Sequence, residues 1–381
     1  MVSRLGPRRN GVAVPVLFGW TFATLFVLLW SVTHVIGELI HDVVQDKPLL
    51  VLSTAEVSDE PYSKAWMAEM LADGDEGECN PVRVIFHWGN VGWGSNMNRI
   101  LAEWVLHSIV RGTNHFAVDV SPAFFRQVNC SSVAHGVGET VDGWECFFKP
   151  MPHLCTFHTE KEVQDFVDNG GVTDEGGLTP PFNSRDLRCV ETAAALLKFI
   201  GSNAQPWFAT SIEAILSANN VVAMRSERFI ALHVRRGDKL RREANKVEVH
   251  VYLQAAALYL WQSSGNHAGV DSISGIWVSS DDPSVIPEVQ QLASTYFPNV
   301  ATESICSIFS RTVSNEPNFE GDTLPTISGQ MDYEFQMLSE ADVFVGTFSS
   351  NIARLVYLMR ENNGFLRNST ISVDIRDWHL G

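Results

Sequence analysis

The stretch Phe229-Ile-Ala-Leu-His-Val-Arg-Arg-Gly-Asp-Lys239 decides how this chain is read. A short apolar run bounded by polar residues reads as a buried strand. It delivers Arg235, Arg236, Asp238 and Lys239 into a loop. Open α/β sheets place their ligands where strands end. An arginine fork matches phosphate oxygens in charge and in planar geometry. The stretch therefore points to a phosphate-rich ligand. The competing reading is a surface loop with ordinary ion pairs, and the surrounding sequence must decide between them.

C-terminal to this stretch the chain alternates. A helix is expected around 248–263, then the strand Ile276-Trp-Val-Ser279 and the turn Ser280-Asp-Asp-Pro-Ser284. A helix over 284–296, a polar segment over 309–330 and a helix over 331–340 come next. The strand Asp342-Val-Phe-Val345 then runs into Gly346-Thr-Phe-Ser-Ser-Asn351 and a helix to about Arg360. This rhythm predicts a parallel sheet with helices on both faces. In such a sheet three polar strand ends share one edge. The first holds Arg235, Arg236, Asp238 and Lys239, with Glu243 close by. The second holds Asp281 and Asp282, and Asp282, just before Pro283, also suits a helix cap. The third holds Thr347, Ser349, Ser350 and Asn351 at a helix start, where amides and hydroxyls can cradle phosphate or simply cap the helix.

N-terminal to the stretch the signals are weaker. Glu191 to Asn219 reads as helix broken near Pro206, and 125–190 reads as irregular. The strand Val82-Arg-Val-Ile-Phe-His87 leads to the glycine-rich Gly89-Asn-Val-Gly-Trp-Gly-Ser-Asn96. A helix from Met97 to Val110 comes after it, with Ile100, Leu101, Trp104, Val105 and Ile109 at helical spacing. That loop lacks the dinucleotide spacing and reads as a tight turn. Residues 37–80 form an acidic stem, and its Asp73-Gly-Asp75 precedes the first strand and reads as solvated. The lumenal part, about 340 residues, exceeds the ~250–300 residues of one core, so two lobes are expected, 81–215 and 216–381.

Arg4, Arg8 and Arg9 lie in 1–11, and no charged residue occurs from Val12 to Ile36. A bilayer-spanning helix needs ~20 apolar residues. The reading is a cytoplasmic tail (1–11) and a transmembrane signal anchor (12–36), with the rest lumenal, as basic residues before a span favour. A cleaved signal peptide is the alternative. All six cysteines lie C-terminal to the span, which in an oxidising compartment suggests disulfides. Glycan acceptor triplets occur at Asn129-Cys-Ser131 and Asn368-Ser-Thr370. The net charge of −17 argues against nucleic acid as a partner.

Together the three clusters fit a nucleotide diphosphate, and a glycosyl donor fits best, because its pyrophosphate gains charge as it leaves. Two arginines lie just past a strand here and no Asp-x-Asp does, so the chemistry expected is metal-independent. These residues also carry a family likeness. His233-Val-Arg-Arg-Gly-Asp-Lys239 resembles the signature of the α-1,6-fucosyltransferases, eukaryotic and bacterial, which have threonine where Gly237 stands. Ser280-Asp-Asp-Pro-Ser284 resembles their second motif. Leu338-Ser-Glu-Ala-Asp-Val-Phe-Val-Gly-Thr-Phe-Ser-Ser350, with Arg354, resembles their third. Gly92-Trp-Gly-Ser-Asn96 matches their first-lobe loop more loosely.

The resemblance implies a GT-B-like enzyme of two Rossmann-like lobes. It implies inverting transfer of fucose from GDP-fucose with no metal or other cofactor. By position, Arg235 would bind the β-phosphate, Arg236 and Lys239 would stabilise the leaving diphosphate, and Glu243 would take the acceptor proton. His233, Asp238, Tyr252, Asp281, Asp282, Ser349 and Ser350 would line the donor site. Glu334, or alternatively Asp332, would face the guanine edge. The implied setting is the Golgi membrane, single-pass, with the catalytic part lumenal. Animal members carry a coiled-coil stem and an SH3 domain that this sequence does not show. The acceptor thus stays open between the N-glycan core, another glycan, a polysaccharide and a protein hydroxyl. Three rivals remain: another nucleotide sugar, a catalytically silent relative, and an adhesion protein read through Arg236-Gly-Asp238.

Overall fold

In a computed structural model of the chain, Phe229–Val234 is β5, the central strand of a five-stranded sheet, and all six of its residues are buried. The structure describes residues 83–85, 93–106, 116–119, 148–149, 154–157, 160–173, 187–202, 204, 227–236, 246–306, 333–365 and 367–375. The strand order is β7-β6-β5-β8-β9, with β6 at Gly275–Ser280, β7 at Ile305–Cys306, β8 at Val343–Gly346 and β9 at Thr370–Ser372. Every pairing is parallel. Parallel strands need crossovers, which bury both faces of the sheet. Hence β5, β6 and β8 are continuous apolar or small-residue runs rather than alternating ones.

A second sheet lies N-terminal in sequence. Its order is β3-β2-β1-β4, again all parallel, with β1 at Arg83–Ile85, β2 at Phe116–Asp119, β3 at Leu154–Phe157 and β4 at Val172–Thr173. Here the sequence reading is corrected. The segment 125–190, expected to be irregular, contributes two strands and the helix α2 (Glu160–Asp168). These elements are short, and a strand of two to four residues carries too little periodicity to be recognised.

The crossover helices of the five-stranded sheet fall close to their expected places. They are α4 (Val249–Ser264), α5 (Val285–Tyr296), α6 (333–340) and α7 (Asn351–Asn362). Gly265 stops α4 with a left-handed backbone at φ 68°, which glycine adopts without strain. In the region of the four-stranded sheet, α1 runs Trp93–Leu106, so helix begins inside the stretch read as a glycine turn. α3 runs Leu187–Ser202.

α1, α3 and α7 pack on one another and form the largest core. Met97, Ile100, Leu101 and Trp104 from α1 meet Val190, Ala193, Leu196 and Ile200 from α3, together with Leu355, Val356 and Leu358 from α7. Each large apolar side chain buried there contributes about 1.5–3 kcal/mol. Within this seam, Asn98 Nδ2 donates to the Asn351 carbonyl at 3.1 Å and ties α1 to the first residue of α7. Arg360, 1% exposed, donates to the Ser339 carbonyl at 3.2 Å and the Thr370 hydroxyl at 2.8 Å, tying the end of α6 to β9.

Residues Leu50–Gly381 form one compact unit, and Met1–Leu49 lies outside the described residues. Among the described residues no helix is long and apolar enough to cross a membrane, and the expected span at 12–36 is not among them. Cys306 is a free thiol among the described residues.

Candidate functional site

The chain winds from β5 to β6 to β7 on one side, then returns to place β8 and β9 on the other. The strand order therefore reverses between β5 and β8, and the carboxyl ends of strands flanking such a reversal open a crevice for ligands. Pairing fixes what lines it. His233 lies opposite Ser279, Val234 opposite Ser280, and Gly346 opposite Ser372. The described members of the three polar clusters share this edge, and the turn after β9 adds a fourth.

The two arginines reach the edge already paired. Arg235 Nη1 lies 2.7 Å from Asp281 Oδ2, while Asp281 Oδ1 accepts from the Arg236 backbone amide at 2.8 Å. One carboxylate thus pins both arginines to the end of β6. Arg236, 8% exposed, forks onto Glu288: Nη1 to Oε2 is 2.6 Å and Nη2 to Oε1 is 3.2 Å. Glu248 lies 3.5 Å from Nη2 and is itself paired with Lys246 at 3.1 Å. The Glu288 bond holds the Arg236 pKa above its ordinary value against the opposing effect of burial. The same bond holds the Glu288 carboxyl below the usual carboxylate range. Asp282 feels the charge of Arg236 but makes its hydrogen bonds elsewhere. Its Oδ1 accepts from the Ser284 amide at 2.9 Å and hydroxyl at 2.7 Å, so it caps the turn into α5.

A second network crosses the sheet. The Ser279 hydroxyl donates to Glu334 on α6. His233 Nδ1 lies 3.0 Å from Ser279 Oγ, and Nε2 lies 3.1 Å from Ser350 Oγ. With the Ser279 proton directed to Glu334, the consistent assignment is Nδ1–H donating to Ser279 and Nε2 accepting from Ser350. Burial pushes the Glu334 carboxyl up to about 7, the Ser279 bond opposing and the charge of Asp281 adding. A carboxylate that changes charge near neutrality is thereby joined, through one imidazole, to the start of α7.

That helix start already answers an anion. The Phe348 amide donates to Asp374 Oδ1 at 2.8 Å and the Ser349 amide to Oδ2 at 3.1 Å. The Asp374 carboxylate occupies the cradle that helix-terminal amides offer to phosphate. Gly346 lets the strand enter the helix closely, since a Cβ there would lie 2.8 Å from the Phe344 ring and 3.2 Å from Ala353 Cβ. Arg354 Nε holds the Phe348 carbonyl at 2.7 Å and fixes the turn from the other side. The Thr347 hydroxyl is buried and makes no hydrogen bond of good geometry among the described residues. Tyr252 lies beside it, 1% exposed, with its pKa raised by burial first and by the charge of Asp374 next.

Asp238, Lys239, Glu243 and Asp332 lie outside the described residues. The structure therefore brings together Arg235, Arg236, His233, Tyr252, Asp281, Glu334, Ser349 and Ser350, and assigns Asp282 to a turn. Sequence reasoning missed Glu288 and Asp374. Glu288 looked like an ordinary first-turn acid of a helix, and Asp374 lies just past a strand too short to recognise. Among the described residues no three His, Cys, Asp or Glu side chains group as ligands for an ion.

Comparison with known proteins agrees with the motifs. Residues 196–368 match the family described as alpha-(1,6)-fucosyltransferase N- and catalytic domains. The match spans β5, β6, β8 and the arginine, hydroxyl and carboxylate contacts of this edge other than those of Asp374. The protein is a glycosyltransferase of fucosyltransferase type over this segment. More narrowly, residues 196–368 resemble the α-1,6-fucosyltransferases. Similar solved structures include Arabidopsis thaliana FUT1 in complex with GDP, 11% identical with TM-score 0.40 over 81% of this chain and 80% of that one. Another is POFUT1 in an apo form, 11% identical with TM-score 0.37 over 76% of this chain and 98% of that one. At these scores the likeness assigns no individual residue.

Proposed function

We propose that the protein moves fucose from GDP-fucose to a glycan hydroxyl by inverting, metal-independent transfer, with the α-1,6 position of the N-glycan core GlcNAc as the acceptor. The observation that carries this reading is the convergence of Arg235, Arg236 and the Thr347–Ser350 amides at the reversal between β5 and β8. Two cations and a positive helix end supply the countercharge that a departing diphosphate needs. The fold reading is GT-B-like, with the five-stranded sheet as the donor lobe and the four-stranded one as the acceptor lobe. The chain reads as a Golgi protein anchored through 12–36, its catalytic part lumenal.

The step is a displacement at the anomeric carbon. The acceptor oxygen forms a bond to that carbon as the bond to the β-phosphate oxygen breaks. GDP leaves with the electron pair, and the acceptor proton passes to the Glu243 carboxylate. Arg235 and Arg236 hold the diphosphate, joined by Lys239, three residues further along the chain. Thr347 offers a buried hydroxyl suited to a phosphate oxygen. Ionised Glu334 would accept from the guanine edge.

The test is thermal stabilisation of the full-length protein in detergent by GDP, UDP, CMP and ADP, in EDTA, with Arg235→Ala beside it. A ligand that binds only the native state raises the melting temperature. Stabilisation by GDP alone, lost in the variant, supports the reading. A response to another nucleotide, or to GDP only with Mn²⁺, replaces it with a different donor or a metal-assisted mechanism. GDP binding without transfer to any glycan identifies a silent relative.

A further inference from the structure

We propose that Glu288, to which no sequence motif gives a part, is a positioning residue for transfer: it fixes the Arg236 guanidinium so that Nε–H faces the donor's diphosphate. This rests on the GDP-fucose reading above.

A guanidinium has two bidentate faces. One is its end, formed by Nη1 and Nη2, and the other is its side, formed by Nε and one Nη. Glu288 takes the end face of Arg236, at 2.6 Å and 3.2 Å. Asp281 holds the backbone amide of the same residue at 2.8 Å. Both ends of the side chain are therefore tied, and its plane is set before any ligand arrives. What remains is Nε–H, which is buried and has no acceptor among the described residues. Native proteins rarely leave a buried donor unmade, and a ligand site is where one is expected. The arginine sits at the strand end that flanks the β5–β8 reversal, where a ligand-binding crevice is expected.

The arrangement resolves an apparent conflict. An arginine forked onto a carboxylate looks used up, yet its side face can still bind a phosphate oxygen. Glu288 lowers the net charge that Arg236 presents. In exchange it removes the need to reorient the guanidinium as charge develops on the leaving group. The bland alternative is that Glu288 merely steadies α5 as an acid in its first turn. That alternative predicts lost stability with unchanged turnover in the molecules that fold.

The test compares Glu288→Ala, Glu288→Gln and wild type as full-length protein in detergent. Calorimetric titration with GDP counts competent sites, and kcat and KM for GDP-fucose are expressed per competent site. The expected result for Glu288→Ala is a kcat lowered roughly 10- to 100-fold, with KM for the donor within about threefold. Glu288→Gln, which keeps one acceptor for Arg236, should recover part of the loss. Wild-type kcat per site in Glu288→Ala overturns the proposal, as does tighter GDP binding with turnover preserved. If Glu288→Ala does not fold, Glu288→Gln decides by the same criterion: lowered kcat per site supports the proposal and wild-type kcat overturns it. A wild type that neither binds GDP nor turns over GDP-fucose overturns the donor reading and this proposal together.

Discussion

The two sheets are wound alike and finished differently. Each has its first strand inside, two strands added to one side, and the next added to the other: β3-β2-β1-β4 and β7-β6-β5-β8-β9. The five-stranded sheet carries β9 as well, and the turn after it brings Asp374 to the amides of Phe348 and Ser349. Among the described residues the helices of the four-stranded sheet contribute chiefly core. The strand ends of the five-stranded sheet carry the paired arginines, the imidazole bridge and the helix-start cradle. Winding alone makes a crevice, and side chains at strand ends make it a site.

That contrast can be broken experimentally. The largest effect should come from Arg236→Ala, with kcat/KM for GDP-fucose falling about 1,000-fold, the scale of losing one preorganised donor to a developing charge. A fall of only a few-fold would remove this edge from the chemistry. Next is Leu101→Ala in the α1–α3–α7 seam. It should cost about 3 kcal/mol in urea unfolding and leave the GDP affinity of the folded protein unchanged. A large change in affinity would show the helices of the four-stranded sheet to be part of the donor site.

Glu334→Gln should weaken GDP binding about tenfold and change its pH dependence. The folded-state pKa of Glu334 is raised to about 7, above its unfolded value. Protonation is thus favoured in the folded protein, and the stability this contributes is present at low pH and lost as pH rises through about 7. The proposed guanine contact calls for the ionised form, so under that proposal GDP affinity of the wild type, measured against the variant, should climb with pH and level off above about 7. A flat difference would detach Glu334 from the base. The smallest effect is Asp282→Ala, about 1 kcal/mol of stability through the lost turn cap and no change in GDP affinity. A clear loss of affinity would return Asp282 to the donor contacts.

The five-stranded sheet was largely legible because its strands are continuous apolar runs that end in charged or hydroxylated residues. Phe229–Val234 coincides with the expected strand, and α4, α5 and α7 differ from expectation by one or two residues. The four-stranded sheet was less legible because strands such as Val172–Thr173 are too short to show a period. Site residues were legible where a motif held them together, as with Arg235 and Arg236. Partners set by tertiary packing were not. Nothing local distinguishes Glu288 from any first-turn acid, and Asp374 acquires its contacts only when β9 pairs with β8.

The pairing of the described arginines and amides at this edge has a consequence for salt. Arg235 and Arg236 are held by carboxylates, and the Phe348 and Ser349 amides by Asp374. An incoming diphosphate enters this part of the site as one anion replacing or joining others, not as an anion filling an open cationic field. The tethered carboxylates remain in the protein when a diphosphate binds, and partly buried pairs are screened little. GDP affinity should then fall only weakly between low and high ionic strength. Singly charged anions such as chloride should compete poorly with a carboxylate already tethered in place.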